Sequence, residues 1–534
     1  MKAKEKAVMQ LKTRCILSFV LSVGSILSST NSVICSKCSE LSENKNIYGK
    51  TYFSPRSQST DTTKDILNNL RFFNSNRNVL GSASVSHQET SSQDGLGIWF
   101  SFNGKKTMSY GNSGAEIFDI NALNFGVTGS GVISFNPKIK NSIAIIDNYF
   151  SFGKDFCEIW GRIKVPIVHT NWNLKLSDTL NGENRLKYED NTVSTTTPDV
   201  VYKSLKEAWK GTKSFGVIPS LGCGKIDACQ TTTTISSVDL ELGKEFINNS
   251  CGYFGSSFIA SIPVGTTPTA EYLFNAVVGA NHSWQLGLTF NGGVQHCFSD
   301  CANLGLYFYG VGTHIFDSNQ KRLLGLKTRT GEINPGSGFL VLKNYSGAKK
   351  LDSLTPLLRA EKILCCDVKV GSPFMFDFSL LLKADYKCCN IGIGWNYWIR
   401  LAETMKERCC IIPSEKYGIA NLAAGQTTYA SSGSFATASK STIEKLLGIA
   451  SSTAPSNDGT LSSDSPIFLT DNDVDICTAL HPKASSNKVF GFLTFENCHS
   501  NWDCFCTIFG SKEFATSNAA VDQWEAGIKV GVSF

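Results

Sequence analysis

Thiols and imidazoles are the side chains here best suited to chemistry: 19 cysteines and seven histidines in 534 residues. Cys365-Cys366, Cys388-Cys389 and Cys409-Cys410 are adjacent pairs. Neighbouring cysteines rarely bond each other because the short ring is strained, so each pair should tie two different partners, within the chain or between chains. Spacing does not say which partners. A metal site is the sharper alternative. His296, Cys297 and Cys301 form one candidate set, and Cys498, His499, Cys504 and Cys506 another, yet neither has the paired Cys-x-x-Cys spacing of a zinc framework. Disulfides are the expectation; no metal and no cofactor is expected.

Catalytic signatures fail on spacing. There is no His-Glu-x-x-His, and Gly111-Asn112-Ser113-Gly114 runs into Ala115 where a nucleophile elbow needs glycine. Gly97 lies seven residues before Gly104-Lys105-Lys106-Thr107, which is too far for a phosphate loop. His169, near Trp172, reads as an interface or turn residue. A rim-type Ser-His or Asp-His pair is the one enzymatic alternative; no catalytic residue is expected.

The elements that position these residues begin with an export signal. Lys2, Lys4, Lys6, Lys12 and Arg14 precede an apolar core from Cys15 to Leu27 and small residues at 28–32, giving a signal peptide over 1–30. That core is shorter than the roughly twenty residues of a membrane-spanning helix. Ser-Val-Ile before Cys35 is a poor lipidation motif. Export into an oxidising compartment is what makes thiols into disulfides. Residues 31–94 form a polar leader, periplasmic or lumenal, with a short helix over Asp65–Phe73 that puts Ile66, Leu70 and Phe73 on one face.

Strand periodicity dominates from residue 95 to 534. In Trp524–Phe534 every even position is apolar and every odd one polar or glycine, which makes a two-faced strand of membrane-crossing length. The terminal aromatic resembles the closing strand of bacterial outer-membrane barrels. Trp524, Val530, Val532 and Phe534 are therefore the candidate assembly signal, read by barrel-assembly machinery. Phe374 to Tyr386 and Ile391 to Ile399 alternate in the same way around Lys387-Cys388-Cys389-Asn390, giving a long hairpin whose apolar side is too extensive for water. The polar side of these strands carries Asp377, Lys383, Asp385, Arg400, Glu525 and Lys529, the candidate pore-lining residues. Ile98, Phe100 and Phe102 suggest a strand, and Thr197–Trp209 a helix capped by Thr197. Long loops are expected at 187–265 and 421–487, the latter including an Ala-, Ser-, Thr- and Gly-rich insertion over 421–465.

Three segments carry a family resemblance: Ile-Val-His-Thr-Asn-Trp-Asn-Leu at 167–174, Cys-Ala-Asn-Leu-Gly-Leu-Tyr-Phe-Tyr-Gly-Val-Gly-Thr-His at 301–314 and Trp-Asn-Tyr-Trp-Ile-Arg at 395–400. Over roughly 131–420 and the final strand the chain resembles the cysteine-rich, porin-like outer-membrane β-barrel proteins of Dependentiae-type intracellular bacteria. The resemblance implies an outer-membrane barrel, with a pore as its further suggestion, and carries over no catalytic residue.

The expected fold is all-β: an antiparallel transmembrane β-barrel of about 12–18 strands with long loops and a few short loop helices. No apolar run is long enough for a transmembrane helix, and a net charge of +5 over 534 residues is too dilute for a nucleic-acid partner. A porin-like channel for small solutes in the bacterial outer membrane is the leading function. The alternatives are a disulfide-cross-linked structural envelope protein and a secreted β-sandwich adhesin. Expected partners are outer-membrane lipid, the assembly machinery, small solutes and disulfide-linked neighbours or a homo-oligomer.

Overall fold

The computed structural model describes residues 46–534, apart from 181–201, 420–468 and shorter stretches between and within the elements. The signal peptide, Cys35, and the 421–465 insertion lie outside the described residues, as do Cys301 and His499 of the two candidate metal sets.

Alternating strands pair in sequence and then close on themselves. The wall consists of β1 (Val79–Thr90), β2 (Lys138–Ser151), β3 (Ile159–Asn173), β4 (Ser237–Asn249), β5 (Gly252–Pro263), β6 (Gln285–Ser299), β7 (Ala302–Leu323), β8 (Cys365–Tyr386), β9 (Cys389–Arg400), β10 (Ala484–Cys498), β11 (Asp503–Ala515) and β12 (Gln523–Ser533). Each is antiparallel to its sequence neighbour. The first and last strands complete the ring, Leu80 opposite Ser533 through to Thr90 opposite Gln523. The result is a closed 12-strand barrel whose main sheet wraps onto itself rather than facing a second sheet as in a sandwich.

The two faces fall where alternation put them. In β12, Trp524, Ile528, Val530 and Val532 are exposed outward while Glu525 and Lys529 are buried inward. Leu242, Phe258, Ile393 and Ile528 are each more than half exposed, as befits a wall solvated by lipid. Among the described residues no helix is long and apolar enough to cross a membrane; the strands do the crossing.

Connections alternate in length. At one end of the barrel, beside Val79 and Phe534, β2 and β3, β4 and β5, β6 and β7, β8 and β9, and β10 and β11 are separated by only two to seven residues. Long connections gather at the other end and fold into a cap. It contains a sheet of Thr107–Gly111, Ile120–Asn121, Gly131–Ser134 and Ser177–Leu180, another built on Val341–Ser346, and an aromatic core in which Trp209 meets Phe102, Phe125, Phe135 and Phe339.

Four expectations change. The wall starts at Val79, inside the stretch read as leader, because the outward positions Gly81, Ala83, Val85 and His87 hold only one large apolar residue. The 187–265 loop contains β4 and β5, whose alternation is diluted by Ser256 and Ala260 on the outer side. Ile98 and Phe100 belong to a helix and its end, α2 (Asp94–Trp99), because Trp99 and Phe100 are both buried beneath the cap. The second loop helix, α3 (Leu205–Trp209), starts after Ser204, whose hydroxyl accepts from the Glu207 N–H at 3.2 Å; Thr197 lies outside the described residues.

The adjacent cysteines Cys365 and Cys366 do serve two partners, bonding Cys223 and Cys410 respectively. Successive strand residues point to opposite faces, so neighbours reach different segments. Cys477 is also disulfide-bonded. Cys229, Cys297, Cys388, Cys389, Cys409, Cys504 and Cys506 are unbonded, so the adjacent pair Cys388-Cys389 ties nothing within the chain.

Candidate functional site: the filled lumen

The barrel interior is occupied by the chain's own residues 46–58 and 61–74. The segment enters at the capped end, where the Ile47 N–H donates to Asn518 Oδ1 at 2.7 Å and Thr51 N–H to the Thr478 carbonyl at 3.0 Å. It descends as α1 (Thr62–Asn74) and leads into β1 at the short-turn end. Helix formation follows from the spacing of Ile66, Leu70 and their neighbours, and from Asp61, whose carboxylate accepts from the Thr63 N–H and hydroxyl.

Three tiers of contact hold the segment. Nearest the cap, Arg400 of β9 donates to the Ser54 hydroxyl (3.0 Å) and carbonyl (2.8 Å), while the Tyr52 hydroxyl donates to Asn281 (2.5 Å). The guanidinium of Arg322 lies over the Tyr52 ring and reaches Glu403 at 3.3 Å.

At mid-barrel Arg56 is the hub. It pairs with Asp377 of β8, with Glu513 of β11 at 3.3 Å and with Asp61 at 3.5 Å, and donates to Asn396 of β9 at 3.1 Å. Lys488 of β10 answers Asp61 at 3.0 Å, and Thr62 donates to Asp377 at 2.6 Å. All are buried, so each charge is expensive unless matched; the tier is stable as a set and costly to break singly.

Lower down, Asp65 is gripped by Arg162 and Lys164 of β3, and Arg162 also pairs with Asp147 of β2 and Glu241 of β4, both at 2.7 Å. Lys64 pairs with Glu525. Lys529 donates to the Lys64 carbonyl and to Asn68 Oδ1, each at 3.0 Å. Below these charges the helix turns apolar. Ile66, Leu67, Leu70 and Phe72 pack with Tyr149, Trp160, Tyr307, Leu381, Phe490, Phe492 and Phe505 of the wall, forming a floor at the short-turn end. Gly243 makes room for it, since a Cβ there would stand 2.4 Å from the Trp160 ring.

The candidate pore-lining residues therefore all sit on the inner side of β8, β9 and β12. Asp377, Arg400, Glu525 and Lys529 are brought together by the inserted segment. Lys383 and Asp385 pair with each other at 2.7 Å nearer the short-turn end, and among the described residues neither makes a hydrogen bond or ion pair to the segment. Sequence reasoning missed Arg56, Asp61, Lys64, Asp65 and Arg162, the residues that bind the two parts to each other. The signal of the first four was the run of charges in an otherwise Ser-, Asn- and Thr-rich leader. Trp524, Val530, Val532 and Phe534 face outward, and Phe534 closes the ring by exchanging backbone hydrogen bonds with Val79, both at 3.0 Å.

Above the segment sits His481, fully buried beside Trp99 and Phe53, with ring centroids 5.0 and 5.5 Å away. Its Nδ1 meets the Pro482 carbonyl at 2.9 Å and its Nε2 has no hydrogen-bond partner. Burial, reinforced by the nearby Arg400, holds its pKa well below the usual histidine value. His169 is exposed and bonds Thr233 at 2.6 Å. Among the described residues no three His, Cys, Asp or Glu side chains converge as metal ligands.

No family model matches the chain, and no curated protein does. Solved structures do. An outer membrane channel from Pseudomonas putida F1 covers 85% of this chain and 95% of its own, at 7% identity and a TM-score of 0.35. The toluene transporter TodX of Pseudomonas putida covers 92% and 98%, at 8% identity and 0.24. The outer membrane protease OmpT of Escherichia coli covers 86% and 96%, at 7% identity and 0.21. A channel, a transporter and a protease on related architectures assign no activity to this chain.

Proposed function

We propose that this protein is an outer-membrane channel for small polar solutes, closed at rest by its own N-terminal segment. The observation that carries the reading is chemical. Above the apolar floor, the wall around the segment is lined with Asp377, Arg400, Lys488, Glu513, Glu525 and Lys529, groups suited to water and solute, and there the segment is held by hydrogen bonds and ion pairs. A purely structural filling would be served as well by apolar side chains. The apolar outer band supports a lipid environment, and the uneven connections support short turns facing the periplasm and the cap facing outward. Export by the 1–30 signal and recognition of the Trp524–Phe534 strand by assembly machinery complete the reading, in keeping with the porin-like resemblance of residues 131–420.

The test is to immobilise α1. Asn68 donates to Ser82 of β1 at 3.0 Å. In Asn68→Cys/Ser82→Cys, a short bis-thiosulfonate bridge should abolish conductance in planar bilayers, and reductant should restore it. Equal conductance with and without the bridge means that α1 is not the gate. No conductance in any state, including Arg56→Met, ends the channel reading.

A further inference from the structure

We propose that the short-turn end of the β9–β11 wall is a self-association surface on which unbonded thiols join two copies of this chain side by side. The inference rests on the membrane reading above.

Among the described residues, every disulfide-bonded cysteine is at the capped end, where Cys229 and Cys409 are unbonded. Cys223, Cys365, Cys366, Cys410 and Cys477, all at the capped end, are disulfide-bonded. At the short-turn end, Cys388, Cys389 and Cys506 are exposed and Cys504 is half-buried, and none is bonded. Register places three of them on the outer face. Cys389 follows the outward row of Ile391 and Ile393, and Cys504 and Cys506 share the row of Ile508.

Geometry keeps these thiols from satisfying one another. Cys389 and Cys506 lie opposite each other across Phe495 of β10, two strand spacings or about 10 Å apart, beyond the roughly 7 Å that a disulfide allows. Cys504 and Cys506 stand two residues apart on one strand, with Cβ atoms separated by roughly 6.7 Å where a disulfide needs about 4 Å. Cys388 and Cys389 are sequence neighbours, which strain excludes. Among the described residues, the bonding partner must therefore come from outside this patch.

Its position says what kind of partner fits. Cys506 and Cys389 project from a lipid-facing wall whose neighbouring outward residues are Ile391, Phe495 and Ile508, so the partner must be embedded at the same depth. A second copy meets that condition by construction. A two-fold axis along the membrane normal brings this patch onto itself at equal height, pairing Cys506 with its counterpart or Cys389 with Cys506. The apolar faces above the thiols then cover each other.

Oxidation requires an acceptor, and a protein disulfide of the exporting compartment serves. The Cys506 thiolate of one copy attacks the acceptor disulfide to give a mixed disulfide and one acceptor thiol. The second copy's thiolate then displaces the other acceptor sulfur, forming the inter-copy bond. Two protons and two electrons leave the cysteine pair, and the acceptor ends as a dithiol.

The experiment co-expresses two differently tagged full-length copies, quenches membranes with N-ethylmaleimide and runs them without reductant. Expected is a band of twice the monomer mass that carries both tags and collapses on reduction. Cys389→Ser/Cys504→Ser/Cys506→Ser should lose it while keeping a heat-modifiable monomer, and Cys229→Ser/Cys409→Ser, at the capped end, should retain it. Peptide mapping should recover a Cys506–Cys506 or Cys389–Cys506 link between tags. A heat-modifiable membrane protein that stays monomeric with these thiols alkylated overturns the proposal. So does a disulfide mapped within one copy, or a cross-linked partner of different mass. Absence of the protein from the membrane fraction overturns the membrane reading and this inference together.

Discussion

At the scale of single residues, the guanidinium of Arg56 is where the proposed gate is most open to test. It neutralises Asp377, Glu513 and Asp61 at once in a site without water access. Removing one member of a buried ion network leaves uncompensated charge, at a cost of roughly 3–5 kcal/mol. In Arg56→Met that cost falls on the closed state, because the carboxylates regain water when α1 withdraws. Open probability should rise, and protease should cut within residues 46–74 of reconstituted protein. Unchanged conductance and cleavage would contradict the gate. Asp377→Asn removes the same pair from the wall side, and should also loosen the segment while leaving the barrel folded. The outer face obeys a different rule. Leu380→Arg or Ile393→Arg places a cation against lipid, costing about 2–4 kcal/mol near mid-membrane, and should impair folding into vesicles. If Leu380→Arg inserts as well as wild type while Asp377→Asn fails, the faces are inverted.

Among elements, the junction of cap and inserted segment is where pH should act. His481 is buried neutral with its pKa well below 6.5, whereas an opened cap releases it to the ordinary value near 6.5. The open form therefore binds more protons as pH falls through 6.5, and the closed form loses stability from there down to the depressed folded value. Arg400, Arg322 and Lys50 already place positive charge near the ring, with Glu403 opposing them. Fluorescence of Trp99, which packs on His481, should report cap loosening in mild acid, and His481→Phe should abolish the acid dependence. Persistence of the transition in His481→Phe would assign it to other groups.

The elements also differ in how plainly the sequence announced them. β8, β9 and β12 were legible because one outward row carries large aliphatic and aromatic residues, with only Ala384 and Ala526 between them. β1 was not, since lipid tolerates Gly81 and Ala83 and the period vanishes with them. Asp377, Arg400, Glu525 and Lys529 were placed on the correct face by alternation alone. That they would meet Ser54, Arg56 and Lys64 was invisible: those contacts span more than 300 residues of sequence, as Arg56 to Asp377 does with a separation of 321. Alternation reports which face a residue occupies and is silent on what fills the space beyond it.

For the whole molecule, cap and barrel are stapled at one point of β8. Cys223–Cys365 closes a loop with a sequence separation of 142, and Cys366–Cys410 one of 44. Chain-entropy reasoning gives the larger loop about 4–5 kcal/mol of stabilisation. Mild reduction should lower the temperature at which the cap loosens while leaving the heat-modifiable barrel intact. Simultaneous loss of both on reduction would show that the wall also depends on these bonds. Replacing Phe534 with a charged residue should reduce the yield of heat-modifiable protein; normal yield would remove the closing strand as the assembly signal.

Ring closure between β1 and β12 imposes an order of events. Until Gln523–Ser533 has been made, β1 has no partner on one side, and the nascent sheet carries two raw edges that invite the wrong neighbour. A ribosome that stops early, or a protease that clips the last strand, yields a chain that cannot seal. Completion of the seam is thus a built-in proofreading step: only a full wall, drawn around its own contents, has no edge left to betray it.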